Sequence, residues 1–199
     1  RKMGEFLPEG YKEPVTSRYM KFEDGENRIR ILPAKEGKPV LITGWEYWKT
    51  IGDGKRKPVR LHPNEQVPIT ELETNPRSGE LEQPKFFWAL VVWNYNLKTV
   101  QILEITQKTV RQAIEALSKN AKWGSPCEIP LAYDLVITQS EASGKTSYTV
   151  MPDPKSNIDP EILAVYQNFY VDLEALYLGA DPFKPMATPE GPREPGAEG

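Results

Sequence analysis

One cysteine, Cys127, and one histidine, His62, are all that 199 residues hold of the two side chains that build structural zinc sites. A lone cysteine forms no internal disulfide, and with a single histidine it cannot assemble a four-ligand zinc site, so structural zinc is excluded and no cofactor is expected. Catalysis finds as little support, because no nucleophile stands beside a base at a recognisable spacing. Long apolar runs are also missing. Nothing approaches the roughly 18 uninterrupted apolar residues of a membrane span, and no stretch has the basic start and apolar middle of a signal peptide. The expectation is a non-enzymatic, cytoplasmic protein. Proline and glycine, by contrast, are plentiful at 19 and 14 residues, which argues for short strands joined by turns over a mostly helical chain.

The net charge of −3 conceals an uneven distribution. Residues 1–60 carry 14 Lys/Arg against 9 Asp/Glu, whereas residues 159–199 carry eight acids against Lys184 and Arg193. Binding of an anionic polymer depends on such local fields and not on the average.

Within the basic part, Asn27 to Trp48 reads NRIRILPAKEGKPVLITGWEYW. Side chains on a strand alternate, so Ile29 and Ile31 enter a core only if Arg28 and Arg30 face the other way. Trp45, Tyr47 and Trp48 follow closely. Guanidinium groups beside flat rings suit single-stranded nucleic acid, in which every nucleotide offers a charge and a π-face. Trp45 and Tyr47 share a face with Leu41, Thr43 and Lys49, while Trp48 lies opposite with Val40 and Ile42. The cation on their own face favours Trp45 and Tyr47 for stacking. Lys55, Arg56, Lys57 and Arg60 form a second basic group in the loop that follows.

Periodicity and punctuation predict four regions. Residues 1–26 read as an extended arm, 27–155 as the binding core, 156–178 as a C-terminal helix and 179–199 as a disordered tail. Within the core, strands are predicted at about 27–32, 40–48, 86–95 and 100–106. A helix follows over 107–120, with Val110, Ala113, Ile114 and Leu117 as its buried stripe, and then a hairpin over 133–138 and 147–150. Residues 49–84, dense in proline and glycine, read as a long connection with little regular structure. The strand 86–95 is apolar on both faces, and its pattern leaves open whether the Phe87/Trp93 side or the Phe86/Trp88 side lines a groove. Asp159-Pro160-Glu161 starts the second helix, whose stripe Ile162, Val165, Tyr166, Phe169, Leu173, Leu176 and Tyr177 packs on the core or on a second copy.

These residues also carry a family likeness. GENRIRILP followed by TGWEYW, an apolar aromatic strand, a short helix and the YDLVIT hairpin together resemble the phage single-stranded DNA-binding proteins of replication and recombination, over roughly residues 20–155. The resemblance implies a mainly β chain with two helices, built on a five-stranded, partly open OB-fold barrel. It further implies a groove of aromatic and basic residues that coats single strands without sequence preference, and a C-terminal region that contacts replication or recombination proteins. The chain lacks the zinc-binding insert of some members, and its tail does not end in an acidic run closed by an aromatic residue.

The nucleic-acid-binding set expected from this reading is Arg28, Arg30, Trp45, Tyr47, Trp48, Lys49, Lys55, Arg56, Lys57, Arg60, Trp93 and Lys145, the last at the hairpin tip. Other readings compete. The aromatic face also suits a protein interface in a structural or adaptor protein, and stacking with phosphate contacts serves RNA as well as DNA. Gly144-Lys145-Thr146 is no P-loop, since it joins two strands and Gln139 stands where the motif needs glycine. Asp153 and Asp159 are accounted for by the helix start beside them.

Overall fold

A computed structural model describes residues 17–186 together with Phe6. The chain is mainly β. Strands β1 (Gly25–Ile31), β2 (Leu41–Thr50), β3 (Arg56–Leu61), β4 (Lys85–Asn94) and β5 (Thr99–Ile105) precede helix α1 (Lys108–Lys119). Then come β6 (Leu131–Ala132), β7 (Leu135–Ala142), β8 (Lys145–Pro152), β9 (Ser156–Asn157) and helix α2 (Pro160–Gln167). Two 3-10 turns, Ile69–Glu71 and Leu173–Leu178, complete the order.

Seven strands form one antiparallel sheet in the order β3-β2-β4-β1-β7-β8, with β5 on the other edge of β4, and the sheet does not close; β6 and β9 make a separate two-stranded ribbon. β1 and β2 occupy successive halves of one edge of β4. Ile29 to Ile31 lie opposite Asn94 to Val92, and Leu41 to Glu46 opposite Leu90 to Lys85. Pro33 has no N–H to continue the ladder, so the chain loops out and turns at Gly37 (φ 71°) before rejoining the same edge. Gly44 has a different constraint: a Cβ there would stand 1.9 Å from the Leu61 carbonyl oxygen of β3.

Alternation on β4 and β5 supplies two cores, one on each face. Ile29, Ile31, Leu90, Val92, Leu103, Ile105, Leu135 and Ile137 pack against Val110 and Ile114 of α1. On the other face Ile42, Phe87, Ala89, Val91 and Ile102 pack against Ile162 and Tyr166 of α2, Leu173 and Leu176.

Several sequence-based expectations need correction. The connection 49–84 contains β3, and Thr74 bridges Leu81 within it. The C-terminal helix is not continuous to residue 178: α2 ends at Gln167, and a separate 3-10 turn begins where the Asp172 carboxylate caps the Glu174 N–H. Order also extends past Gly179, since Phe183 is buried in the second core. The rest of the expected tail, from residue 187, and most of the expected N-terminal arm lie outside the described residues. No helix among the described residues is long and apolar enough to cross a membrane.

Candidate nucleic-acid interface

The β1 arginines do face away from the isoleucines, but their face is covered. Arg30 is 2% exposed; its Nη1 lies 3.3 Å from Asp134 Oδ1 and its Nη2 donates to the Ser156 carbonyl at 2.8 Å. The β6-β9 ribbon, which contains Ser156, supplies the lid. Arg28 keeps about half its side chain in solvent, yet sits 2.9 Å from Asp134 Oδ2 and 3.0 Å from Asp153 Oδ2, over the Tyr95 ring. Tyr95 adds a 2.9 Å hydrogen bond to Asp134 Oδ1, and burial pushes its hydroxyl up to about 12. A buried charge is retained only when paired, and Asp134 does that for both arginines. Arg30 therefore leaves the set of phosphate ligands, and Arg28 enters it only at the expense of two ion pairs.

The three rings of β2 have three fates. Tyr47 is buried at 4% exposure and donates its hydroxyl to Glu71 Oε2 at 2.8 Å, so it is not open to a base. Burial, helped by that carboxylate, raises its hydroxyl to about 12. Trp48 is exposed, on the opposite face, in a cleft of about 450 Å³ rimmed by Glu46, Glu80 and Glu82 as well as Arg56 and Lys85. Trp45 is half-buried, its ring edge-on to Phe86 at 5.3 Å.

Trp45 belongs to a larger surface. Residues directly opposite in an antiparallel pair point to the same side. Trp45 therefore shares its face with Leu61 on β3 and Phe86 on β4, Thr43 with Trp88, Tyr47 with Val59, and Lys49 with Lys57. Beyond buried Tyr47, all of these are only partly buried or exposed. A row of half-buried rings, Trp45, Phe86 and Trp88, runs across β2 and β4, with Trp88 packed against the first core. Two lysines stand at one end. At the other, the Arg111 guanidinium of α1 lies 5.1 Å from the Phe86 ring centre, and its buried Nε has no hydrogen-bond partner among the described residues. Both sides of β4 are largely core: Phe87 lies in the second core with Trp93 half-buried against it, and on the other side Leu90 and Val92 lie in the first core with Trp88 half-buried against it, which leaves Phe86 half-buried near the strand's start.

The basic loop splits in a similar way. Arg60 is 12% exposed in its side chain and held by Glu46 Oε2 at 3.2 Å and Glu104 Oε2 at 2.8 Å, so it too is withdrawn. Burial, together with the neighbouring Glu104 carboxylate, raises Glu46 to about 8. Arg56 forms a forked pair with the carboxylate of Glu82, and Lys49 pairs with Glu71 at 3.3 Å. Lys55 is exposed beside Asp53 at 3.9 Å. Lys57 and Lys145 are exposed and make no ion pair among the described residues; Lys145 sits at the β7-β8 tip, across the sheet from β3.

The structure thus gathers Trp45, Lys49 and Lys57 of the expected set onto one face with Phe86 and Trp88, one of the two sides of β4 that the sequence left open, and adds Arg111, which sequence reasoning missed. For Arg111 a signal existed: it flanks the Val110/Ile114 stripe at helical spacing, on the side turned toward the sheet. Such a surface can stack flat groups while offering cations at both ends. No protein-family model matches this chain, and no curated protein matches it.

Proposed function

We propose that the chain is a non-enzymatic protein that coats single-stranded DNA without sequence preference, of the kind that phage replication and recombination use. The observation that carries the reading is the partly exposed ring pair Trp45 and Phe86, continued by half-buried Trp88, with Arg111 over Phe86 and Lys49 and Lys57 at the other end. Base-to-ring stacking is sequence-tolerant, and cations at both ends follow the backbone of a strand lying across the row. An antiparallel sheet in which β1 and β2 share one edge of β4, with α1 between β5 and β7, supports an OB-type arrangement whose β2-β4 surface is the groove.

Titration with fluorescent oligo-dT at two salt concentrations, followed by tryptophan quenching, tests this directly. The expected result is quenching that matched duplex does not reverse and that weakens with salt. Oligo-U in place of oligo-dT separates DNA from RNA preference, since neither stacking nor phosphate contact reads the 2′-hydroxyl. Absence of binding at low salt overturns the reading and leaves the rings to a protein interface.

A further inference from the structure

The segment between β3 and β4 lays acidic side chains on cations and donors of both faces at the β2-β3 end of the sheet. Glu71 accepts the Tyr47 hydroxyl at 2.8 Å and pairs with Lys49 at 3.3 Å. Glu73 accepts both the backbone N–H of Thr50, at 2.8 Å, and its hydroxyl, at 2.7 Å. Glu82 takes the two guanidinium nitrogens of Arg56 in a fork. Each carboxylate is gripped by the donor types that hold a phosphodiester: a forked arginine, a lysine with a phenol, a backbone N–H with a hydroxyl. All three are held below the usual carboxylate range: Glu71 by the Tyr47 hydroxyl and then Lys49, Glu73 by the Thr50 amide and hydroxyl, Glu82 by Arg56. They are therefore fully charged at neutral pH.

We propose that Lys49 with Tyr47 on the ring face, and Arg56 on the opposite face at the β3 edge, are phosphate subsites of a strand path that rounds this edge, occupied in the free protein by the chain's own Glu71 and Glu82, which a bound strand displaces. This rests on the single-strand reading above. Residues 69–82 then act as a displaceable cover with its only regular structure at Ile69–Glu71 and one bridge, Thr74 to Leu81. Its grip on the sheet includes the half-exposed Lys49-Glu71 pair, which costs little to exchange, and the part-buried Arg56-Glu82 fork, for which the strand's phosphate offers an equivalent partner. Displacement also opens the cleft in which Trp48 and Lys85 stand beside Arg56.

The test compares two variants with the same charge change. Glu71→Gln/Glu82→Gln releases Lys49 and removes the fork from Arg56, leaving it only Glu73 at 3.9 Å, whereas Glu65→Gln/Glu80→Gln removes two carboxylates of the same segment that hold neither cation. Oligo-dT binding is measured for both and for the parent chain across a salt series. The proposal expects the first variant to bind at least about tenfold tighter than the second at low salt. Its log–log salt slope should be steeper by about 1.4, at about 0.7 per phosphate gained without a competing carboxylate. Hydrogen exchange supplies a second readout on the parent chain: amides of residues 71–82 should exchange faster once oligo-dT is bound. Equal affinity of the two variants, or slower exchange over 71–82, overturns the proposal while leaving single-strand binding in place. Failure of every chain to bind oligo-dT overturns both together.

Discussion

The two ends of the sheet hold the same kinds of side chain and treat them in opposite ways. Around β1 and β7, two arginines and two rings are turned inward on one aspartate: Asp134 contacts Arg28, Arg30 and Tyr95 within 3.3 Å, and Trp93 packs on the neighbouring core. Around β2, β3 and the start of β4, Trp45, Phe86 and Trp88 each keep part of their surface in solvent, and Arg111 lacks a partner for its buried Nε among the described residues. The difference is the presence of an acid with a lid in the first region and the absence of both across the ring row of the second. Arginine beside aromatic residues on a strand is thus a site only where no carboxylate from another strand has already claimed the cation.

Removing the acid of the first region should have the largest effect. Asp134→Ala strands Arg30 at 2% exposure, and breaking such a buried pair typically costs about 3–5 kcal/mol. Urea unfolding should show that loss, while oligo-dT affinity of the folded protein stays within experimental error. A matching loss of affinity would place the strand on β1 and dissolve the contrast.

The second region should respond in the opposite sense. Trp45→Ala should lower oligo-dT affinity by about 1–3 kcal/mol, the usual worth of one stacked base. Arg111→Ala should reduce the log–log salt slope by about 0.7, one phosphate contact. Unchanged affinity and slope at constant fold would remove both residues from the interface.

Between the regions lies the Glu46-Arg60-Glu104 cluster, whose proton gives a pH test. Burial and then Glu104 raise Glu46 from the ordinary 4.5 to about 8. Below 4.5 both the folded and unfolded chains hold the proton. Between 4.5 and 8 only the folded chain does, so the unfolded state binds fewer protons and stability falls as pH rises, levelling off above 8. Glu104 shifts the other way, downward, so its own contribution is present above 4.5 and is lost only at lower pH. Thermal unfolding should therefore show a decline from pH 5 to 8, on the order of 1 kcal/mol, that Glu46→Gln abolishes. A slope that persists in that variant assigns the proton elsewhere. The smallest effect is expected at the far end of the sheet: Lys145→Ala should leave the salt slope where it was, and a drop near 0.7 would extend the strand's path to the β7-β8 tip.

How far the sequence reaches can be argued from these same residues. Alternation in NRIRI correctly put Ile29 and Ile31 in a core and the arginines opposite, and the helical stripe placed Val110 and Ile114. Asp134 lies more than 100 residues from both arginines, so no local pattern could show that their face is covered. Tyr47 was misjudged for the same reason, because Glu71 comes from a segment 24 residues on. β3 was hidden by Pro58, which argues against a strand; an edge strand tolerates it, and β3 lies at the edge of the sheet. The second helix was drawn too long since its apolar spacing runs on past Asn168, where the backbone (φ −90°, ψ 1°) leaves the helix. The alternation that places Trp45 and Lys49 on one face was legible because it is set within β2 itself.

Photo-crosslinking of oligo-dT to the full chain, with the modified peptides located by mass spectrometry, tests the central claim most directly. The account expects adducts on Trp45, Phe86 or Trp88, lost on adding unlabelled oligo-dT and not on adding duplex. Adducts confined to Tyr95 and Trp93 in the first region, or none at low salt, would contradict it.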